Sequence, residues 1–351
     1  MERAVLKTGR PVKTLPPLRC PPEDRARRKG YLGDTGTDGG VPALPIDSMK
    51  AHHIRLRSRR RTCGWMPRRL EISDMHERER TSGSDGAPGP LTLDQPVILL
   101  GRGGSGTRLL AQLALSVGVF LGNELNASHD SVEWVETLYD LAVEAVTGDV
   151  ASNSTRELYW QSRLRRRASE ILATGRRDPG VLWGWKLPET MLTLPHALRA
   201  FPGARVVHLV RHPVTIALRR THITSRLDNP IGRAVLPAAY RACGFDPDNI
   251  ELDEPYIHNA VSWAYQVGSV LGTLQSVPPA QGCLGFRYEE ICASPDEAQK
   301  RLTAFLGAAA PITDPPEIDA RRTGYYRAED DRAKKIWSIC GGLAFELGYE
   351  L

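Results

Sequence analysis

The chain has 351 residues, enough to bury a sizeable core in one large domain or two small ones. Its formal net charge is +5, yet residues 1–95 hold 19 Lys/Arg against 12 Asp/Glu while the remainder holds 27 against 29. The basicity is confined to the first quarter, which excludes a body-wide basic footprint and so argues against nucleic acid as partner.

In chain order, residues 1–90 come first and read as a disordered tail. They contain PPLRCPPEDRARRKG, GDTGTDGG, RLRSRRR and TSGSDGAPGP, lack apolar periodicity, and cannot bury enough apolar surface to offset their conformational entropy. A folded domain is expected over 95–351. PVILL, from Pro96 to Leu100, is a short apolar run of buried-strand type. TRLLAQLALSV then reads as a helix with Leu109, Leu110, Leu113 and Val117 on one face and Gly118 as its stop. Residues 131–175 are expected to be helical. VLWGWK (Val181 to Lys186) and RVVHLV (Arg205 to Val210) are two further strands, with a Leu/Ala-rich helix ending at FPG between them. Residues 255–277 are helical, and CLGFRY (Cys283 to Tyr288) is a fourth strand. In SPDEAQKRLTAFLG, Ser294 is the expected N-cap, Pro295 the first helical residue, Glu297 the capping-box partner and Gly307 the stop. Strands alternating with helices predict an α/β fold, a parallel sheet covered on both faces.

The chemistry is read first from GRGGSGTRLL, Gly101 to Leu110. Such a loop lies beyond the carboxyl end of a strand, where ligands bind in open sheets. Its glycines let amides turn inward, and the following helix offers free N–H groups and a positive dipole end. Thr107 adds a hydroxyl, and Arg102 and Arg108 add charge, so the loop suits a phosphate-like group. The Walker A pattern ends Gly-Lys-Ser/Thr, whereas this loop ends Gly106-Thr107-Arg108, which disfavours an ordinary NTPase. Gly101-x-Gly103-x-x-Gly106 matches the dinucleotide fingerprint, with Glu124 near the place of the ribose-binding acid, but no hydride-transfer site accompanies it. Three more segments carry candidate groups. In HLVRHPVTIALRR, a strand ends at Arg211 and Pro213 opens a helix, a setting for a phosphate dianion. WGWKLPE ends a strand at Lys186, whose ammonium is expected to face solvent or a ligand, since unpaired burial is costly. FRYEEICASPDEAQKRLTAFLG follows.

Together these segments resemble the sulfotransferases that use 3′-phosphoadenosine 5′-phosphosulfate (PAPS), especially bacterial and tyrosylprotein-type members. The family loop commonly reads G-x-P-R-S-G-T-T-L-L; Ser105, Gly106, Thr107, Leu109 and Leu110 match, Gly103 replaces the proline, Gly104 the basic residue, and Arg108 a threonine. The 3′-phosphate motif R-x-P-x-D-x-x-x-S is matched at Arg211 and Pro213, with Thr215 in place of Asp and Arg219 in place of Ser. The resemblance implies a P-loop-like three-layer α/β fold, with Arg102, Gly103, Gly104, Ser105, Gly106, Thr107, Arg108, Arg211, Arg219 and Tyr288 holding PAPS, Tyr288 near the adenine. It implies Lys186 at the sulfuryl group. By the tyrosylprotein-type pattern, Glu124 is the general base, a carboxylate at the end of a second strand, with His129, Asp130 and Glu189 as alternatives. Arg321, Arg322 and Arg327 in the closing segment are further phosphate candidates. The acceptor implied is a hydroxyl or amine of a small molecule, carbohydrate or protein, with walls from 131–175 and 226–260. A P-loop kinase or NTPase, and a non-catalytic nucleotide-binding protein of the same fold, stay open.

Cysteines fall at 20, 63, 243, 283, 292 and 340, without CxxC spacing or a Cys/His cluster, so reduced thiols and no metal are expected. No apolar run approaches the ~20 residues of a membrane span, and no signal segment is visible. With no anchor of the kind Golgi relatives carry, the expected setting is the cytoplasm.

Overall fold

The computed structural model describes residues 93–148, 154–174, 181–276, 282–318 and 326–351. The expected tail, residues 1–90, lies outside the described residues, as do Cys20, Cys63, Arg321 and Arg322.

Four strands form one parallel sheet: β1 (Val97–Leu100), β2 (Gly184–Lys186), β3 (Arg205–Val210) and β4 (Cys283–Arg287), in the order β2-β1-β3-β4. Ile98 stands level with Trp185 on one side and Val206 on the other. Side chains alternate across the sheet and both faces are dry. Ile98, Leu100, Val206 and Val210 join one core cluster, while Val97, Leu99, Val207 and Leu209 join another. The second face is covered by α1 (Thr107–Ser116), α8 (Tyr288–Ala293) and α9 (Pro295–Leu306). The first carries α2 (Val135–Thr147), α3 (Ser154–Thr174), α4 (Thr190–Ala200), α5 (Pro213–Ala217), α7 (Pro255–Ser276) and α10 (Asp331–Glu346). Trp185 anchors this side, its ring 4.4 Å from that of Trp134 and 5.7 Å from Phe201. Helix α6 (Pro230–Ala242) packs beyond, on α2 and α7. The three-layer α/β expectation holds.

Most elements stand where periodicity puts them; three do not. β2 begins only at Gly184, because Trp183 makes just an isolated bridge to Phe120. Ser294 occupies the N-cap position of α9 but its hydroxyl caps nothing, and the expected box with Glu297 is not formed. The stretch after α1 supplies no second strand ending at Glu124: that residue lies in a loop between the Phe120 bridge and a bridge from Leu125 to Ser131.

The strand order fixes where a ligand fits. The chain passes from β1 to its neighbour on one side, β2, then crosses to the other side to lay down β3. The carboxyl ends of β1 and β3 therefore flank the topological switch point, the crevice where open α/β sheets bind ligands.

Candidate active site

Each strand delivers one element to the same sheet edge. β1 runs into the glycine loop, β2 ends at Lys186, β3 is followed by Arg211, and β4 by Tyr288. The loop turns tightly, with Ser105 N–H donating to the Arg102 carbonyl at 2.9 Å. Gly106 is the N-cap of α1, at φ 96°, and no side chain caps that helix. The first amides of a ten-residue helix are thus left for an anion. Gly104 has φ 91°, a conformation that an L side chain adopts at a cost of about 1–2 kcal/mol, which accounts for glycine where a basic residue is common. Gly103 and Gly106 serve close approach. A Cβ on Gly103 would fall within the ring of His222, and one on Gly106 within the ring of Tyr288.

Arg102 does not face an anion. Its guanidinium is 1% exposed and donates to Ser225 Oγ at 2.7 Å and to Asn259 Oδ1 at 2.8 Å. Burial pulls its pKa down to about 10. Asn259, on α7, also donates to the Ala217 carbonyl at 3.1 Å, so one amide ties the loop to the end of α5. Arg102 is a strut for the loop rather than the charge the sequence assigned to the ligand.

Arg211 stands beside the loop. Its guanidinium carbon lies 4.1 Å from the Tyr288 ring centroid, and that ring rests on Gly106. Burial lowers the Arg211 pKa, and Arg219 contributes in the same sense, which places the exposed Arg219 in the same field. Thr215, on α5, is buried with an unpartnered hydroxyl. Tyr288 is buried between Arg211 and Gly106, so its ring is a spacer between them and not an open platform for adenine. Arg327, exposed ahead of α10, has no contact here among those described. The donor set — uncapped helix amides, the Thr107 hydroxyl and the Arg211 guanidinium — fits an adenylate with phosphate-like groups at both ends.

A second cluster lies at the β2 end. Lys186 is 1% exposed, and its ammonium is paired with the Asp130 carboxylate and donates to the Ser128 carbonyl at 2.6 Å. It is neither solvated nor open, contrary to the sequence expectation. The turn that holds it is built by Asn126, whose Oδ1 accepts from Ser128 N–H at 2.8 Å and Asp130 N–H at 3.0 Å. His129 sits at φ 54° in that turn, alone among described non-glycine residues in a positive φ. Arg108, exposed on the first turn of α1, depresses the pKa of both Lys186 and His129, each of which is lowered chiefly by burial. Glu189, three residues past Lys186, is 1% exposed, and no other residue hydrogen-bonds either carboxylate oxygen. Burial pushes its pKa up to about 7. His222 Nε2 stands 3.8 Å from Glu189 Oε1, and burial drives the imidazole down to about 3, so it is neutral. Glu124 is remote in character: it is exposed, and only its backbone is engaged, its carbonyl accepting from Val132 N–H at 3.0 Å.

A model described as the sulfotransferase family matches residues 96–311. The chain belongs to that family. Among solved structures it is similar to the sulfotransferase domain of the Synechococcus PCC 7002 olefin synthase (20% identity, 78% of this chain and 100% of that one, TM-score 0.40). It is likewise similar to a sulfotransferase from Alicyclobacillus acidocaldarius (15%, 73% and 97%, TM-score 0.40) and to one from Mycobacterium avium (13%, 74% and 79%, TM-score 0.41). No curated protein matches it.

Sequence reasoning on this sulfotransferase missed His222 and Asn259. His222 had one legible trace, the glycine at 103 where relatives carry proline, since the missing ring leaves room for another. Asn259 left none, lying mid-helix in a segment of ordinary periodicity. A cleft of about 430 Å³ opens next to Ser225, lined by Arg220, Leu227, Pro255 and His258 among others. It adjoins the 226–260 region expected to wall the acceptor side. Among the described residues no helix is long and apolar enough to cross a membrane, and no cluster of His, Cys, Asp or Glu is gathered as a metal would require.

Proposed function

We propose that this sulfotransferase moves a sulfuryl group from PAPS to a hydroxyl or amine of a small-molecule or carbohydrate acceptor. The observation that carries the reading is the Tyr288 ring, which meets Gly106 at one edge and the Arg211 guanidinium on its face, so that a buried guanidinium and an uncapped helix N-terminus share one aromatic neighbour. An adenylate charged at both its 3′ and 5′ ends needs two anion seats.

In this reading the amides at Gly104 to Thr107, with the Ser105 and Thr107 hydroxyls, hold the 5′-phosphosulfate, and Arg211 with Arg219 holds the 3′-phosphate. Sulfuryl transfer resembles phosphoryl transfer, where positioning and charge stabilisation supply most of the rate. Arg108 and Lys186 supply positive potential on the acceptor side, and Lys186 exchanges part of its pairing with Asp130 and Ser128 for the sulfuryl oxygens when donor binds. Losing one such donor is expected to cost on the order of 10²–10³ in rate.

A thermal-shift comparison of adenosine 3′,5′-bisphosphate (PAP), magnesium ATP and NAD tests the donor class. PAP at a hundred times its Kd is expected to stabilise the fold by about 2.7 kcal/mol. Stabilisation by magnesium ATP or by NAD, with none by PAP, would replace this reading with a P-loop kinase or a dinucleotide enzyme.

A further inference from the structure

Transfer to a hydroxyl leaves one proton to be placed, and the geometry points to Glu189 as its acceptor, with His222 as the residue that positions it against the loop. This rests on the sulfuryl-transfer reading above and adds to it the identity of the base.

Glu189 is the first residue beyond Pro188, at the N-terminal boundary of α4. Its carboxylate is 1% exposed, yet no other residue hydrogen-bonds either oxygen. Buried carboxylates are ordinarily satisfied, because an unpaired one carries its full desolvation cost. An orphaned pair of oxygens within the site has lone pairs in reserve for a substrate proton. The groups facing it are Lys186 on β2, Asp130 in the preceding turn, Tyr139 on α2 and His222 ahead of the turn at Ile223–Ser225. Lys186 and Asp130 already satisfy one another, so they leave the Glu189 oxygens untouched. His222 bridges the carboxylate to the loop. Its ring covers Gly103, its Nδ1 lies 3.2 Å from Thr224 Oγ1 and 3.5 Å from Thr224 N, and its Nε2 faces Glu189 Oε1 at 3.8 Å. The neutral imidazole stands against the carboxylate beside the glycine loop without neutralising it. A carboxyl held near neutrality is matched to base catalysis at ordinary pH. Glu124, solvated on its loop, has none of these properties.

The acceptor oxygen forms its bond to sulfur as the bond from sulfur to the bridging phosphate oxygen breaks. The electron pair of that bond leaves with the 5′-phosphate of PAP, and the acceptor proton passes to a Glu189 carboxylate oxygen, to be given up to water when product departs.

The test uses PAPS labelled in its sulfuryl group, single-turnover conditions, and water, phenol and 4-nitrophenol as acceptors, on the full chain and its Glu189→Gln and Glu189→Asp variants. Glu189→Gln is expected to lose roughly 10²–10⁴-fold with phenol and water and to lose the rising limb of the pH–rate profile. With 4-nitrophenol, already ionised at the assay pH, the loss should shrink below about tenfold, because no proton remains to be taken. Glu189→Asp should regain part of the rate, and PAP should stabilise all three proteins alike. Equal loss with both phenols, an unchanged rate, or the loss appearing in Glu124→Gln instead would overturn the assignment. A wild-type chain that neither binds PAP nor turns over PAPS would remove the sulfuryl-transfer reading beneath it, an outcome distinct from those three.

Discussion

A carboxylate buried without partners weakens the fold that contains it. For Glu189 the folded pKa, about 7, lies above that of an exposed carboxyl, so the folded state binds the extra proton. Its contribution is harmless at low pH and grows into a penalty of about 3 kcal/mol as pH rises through neutrality. Glu189→Gln is therefore expected to gain stability over the wild type between about pH 5 and pH 8, by up to that amount, while losing activity. Urea unfolding of both proteins across this range checks it; parallel curves would contradict it. His208 and His222 act in the opposite sense. His208 is buried and His222 half-buried, and both are neutral, with pKa values lowered to about 4 and about 3, so they withdraw stability as pH falls below the ordinary histidine range. His208 is common to both proteins and cancels in the comparison, whereas His222 faces Glu189 and titrates only below the range compared. At this scale the sequence was a partial guide. Gly104, Gly106 and Arg211 could be picked out because backbone geometry and a strand end fix their setting. Arg102 could not be placed, because its direction is chosen by Ser225 and Asn259, which lie 123 and 157 residues away.

Among the elements, α7 does more than cover the sheet. Asn259 receives the Arg102 guanidinium and donates to the Ala217 and Arg219 carbonyls at 3.1 and 3.4 Å, joining the loop after β1 to the segment after β3. The two segments proposed to seat anions thus share one amide. Asn259→Ala leaves a buried guanidinium short of a partner and is expected to cost about 1.5–3 kcal/mol in denaturant unfolding. PAP affinity should fall as well, although Asn259 touches no ligand in this account; an unchanged affinity would separate the helix from the site. Element positions were largely readable, since β1, β3 and α9 follow their apolar patterns and Pro and Gly boundaries closely. The failures share a cause. The loop at Glu124 takes its shape from Glu133, whose carboxylate accepts from Asn123 N–H and Nδ2, a contact no local pattern encodes. β2 is trimmed by its register against Val97 rather than by its own residues.

At the scale of the whole molecule, the site exists because four separate segments meet at the carboxyl edge of one sheet in the order β2-β1-β3-β4. The order of motifs along the chain pointed to the family, and the family model over residues 96–311 agrees with it. What sequence order does not give is the side-to-side arrangement: that Tyr288 separates Arg211 from the loop, and that His222 closes over Gly103. On the proposed reading, two anion seats, the loop and Arg211, grip opposite ends of one nucleotide. Calorimetric titration of PAP and of adenosine 5′-monophosphate into the wild type and Arg211→Ala measures it most directly. The account predicts that the wild type binds PAP at least about tenfold more tightly, each tenfold being about 1.4 kcal/mol, and that Arg211→Ala abolishes the difference while leaving the monophosphate affinity nearly intact. Equal affinities for the two nucleotides in the wild type, or a preference for PAP that survives in Arg211→Ala, would contradict it.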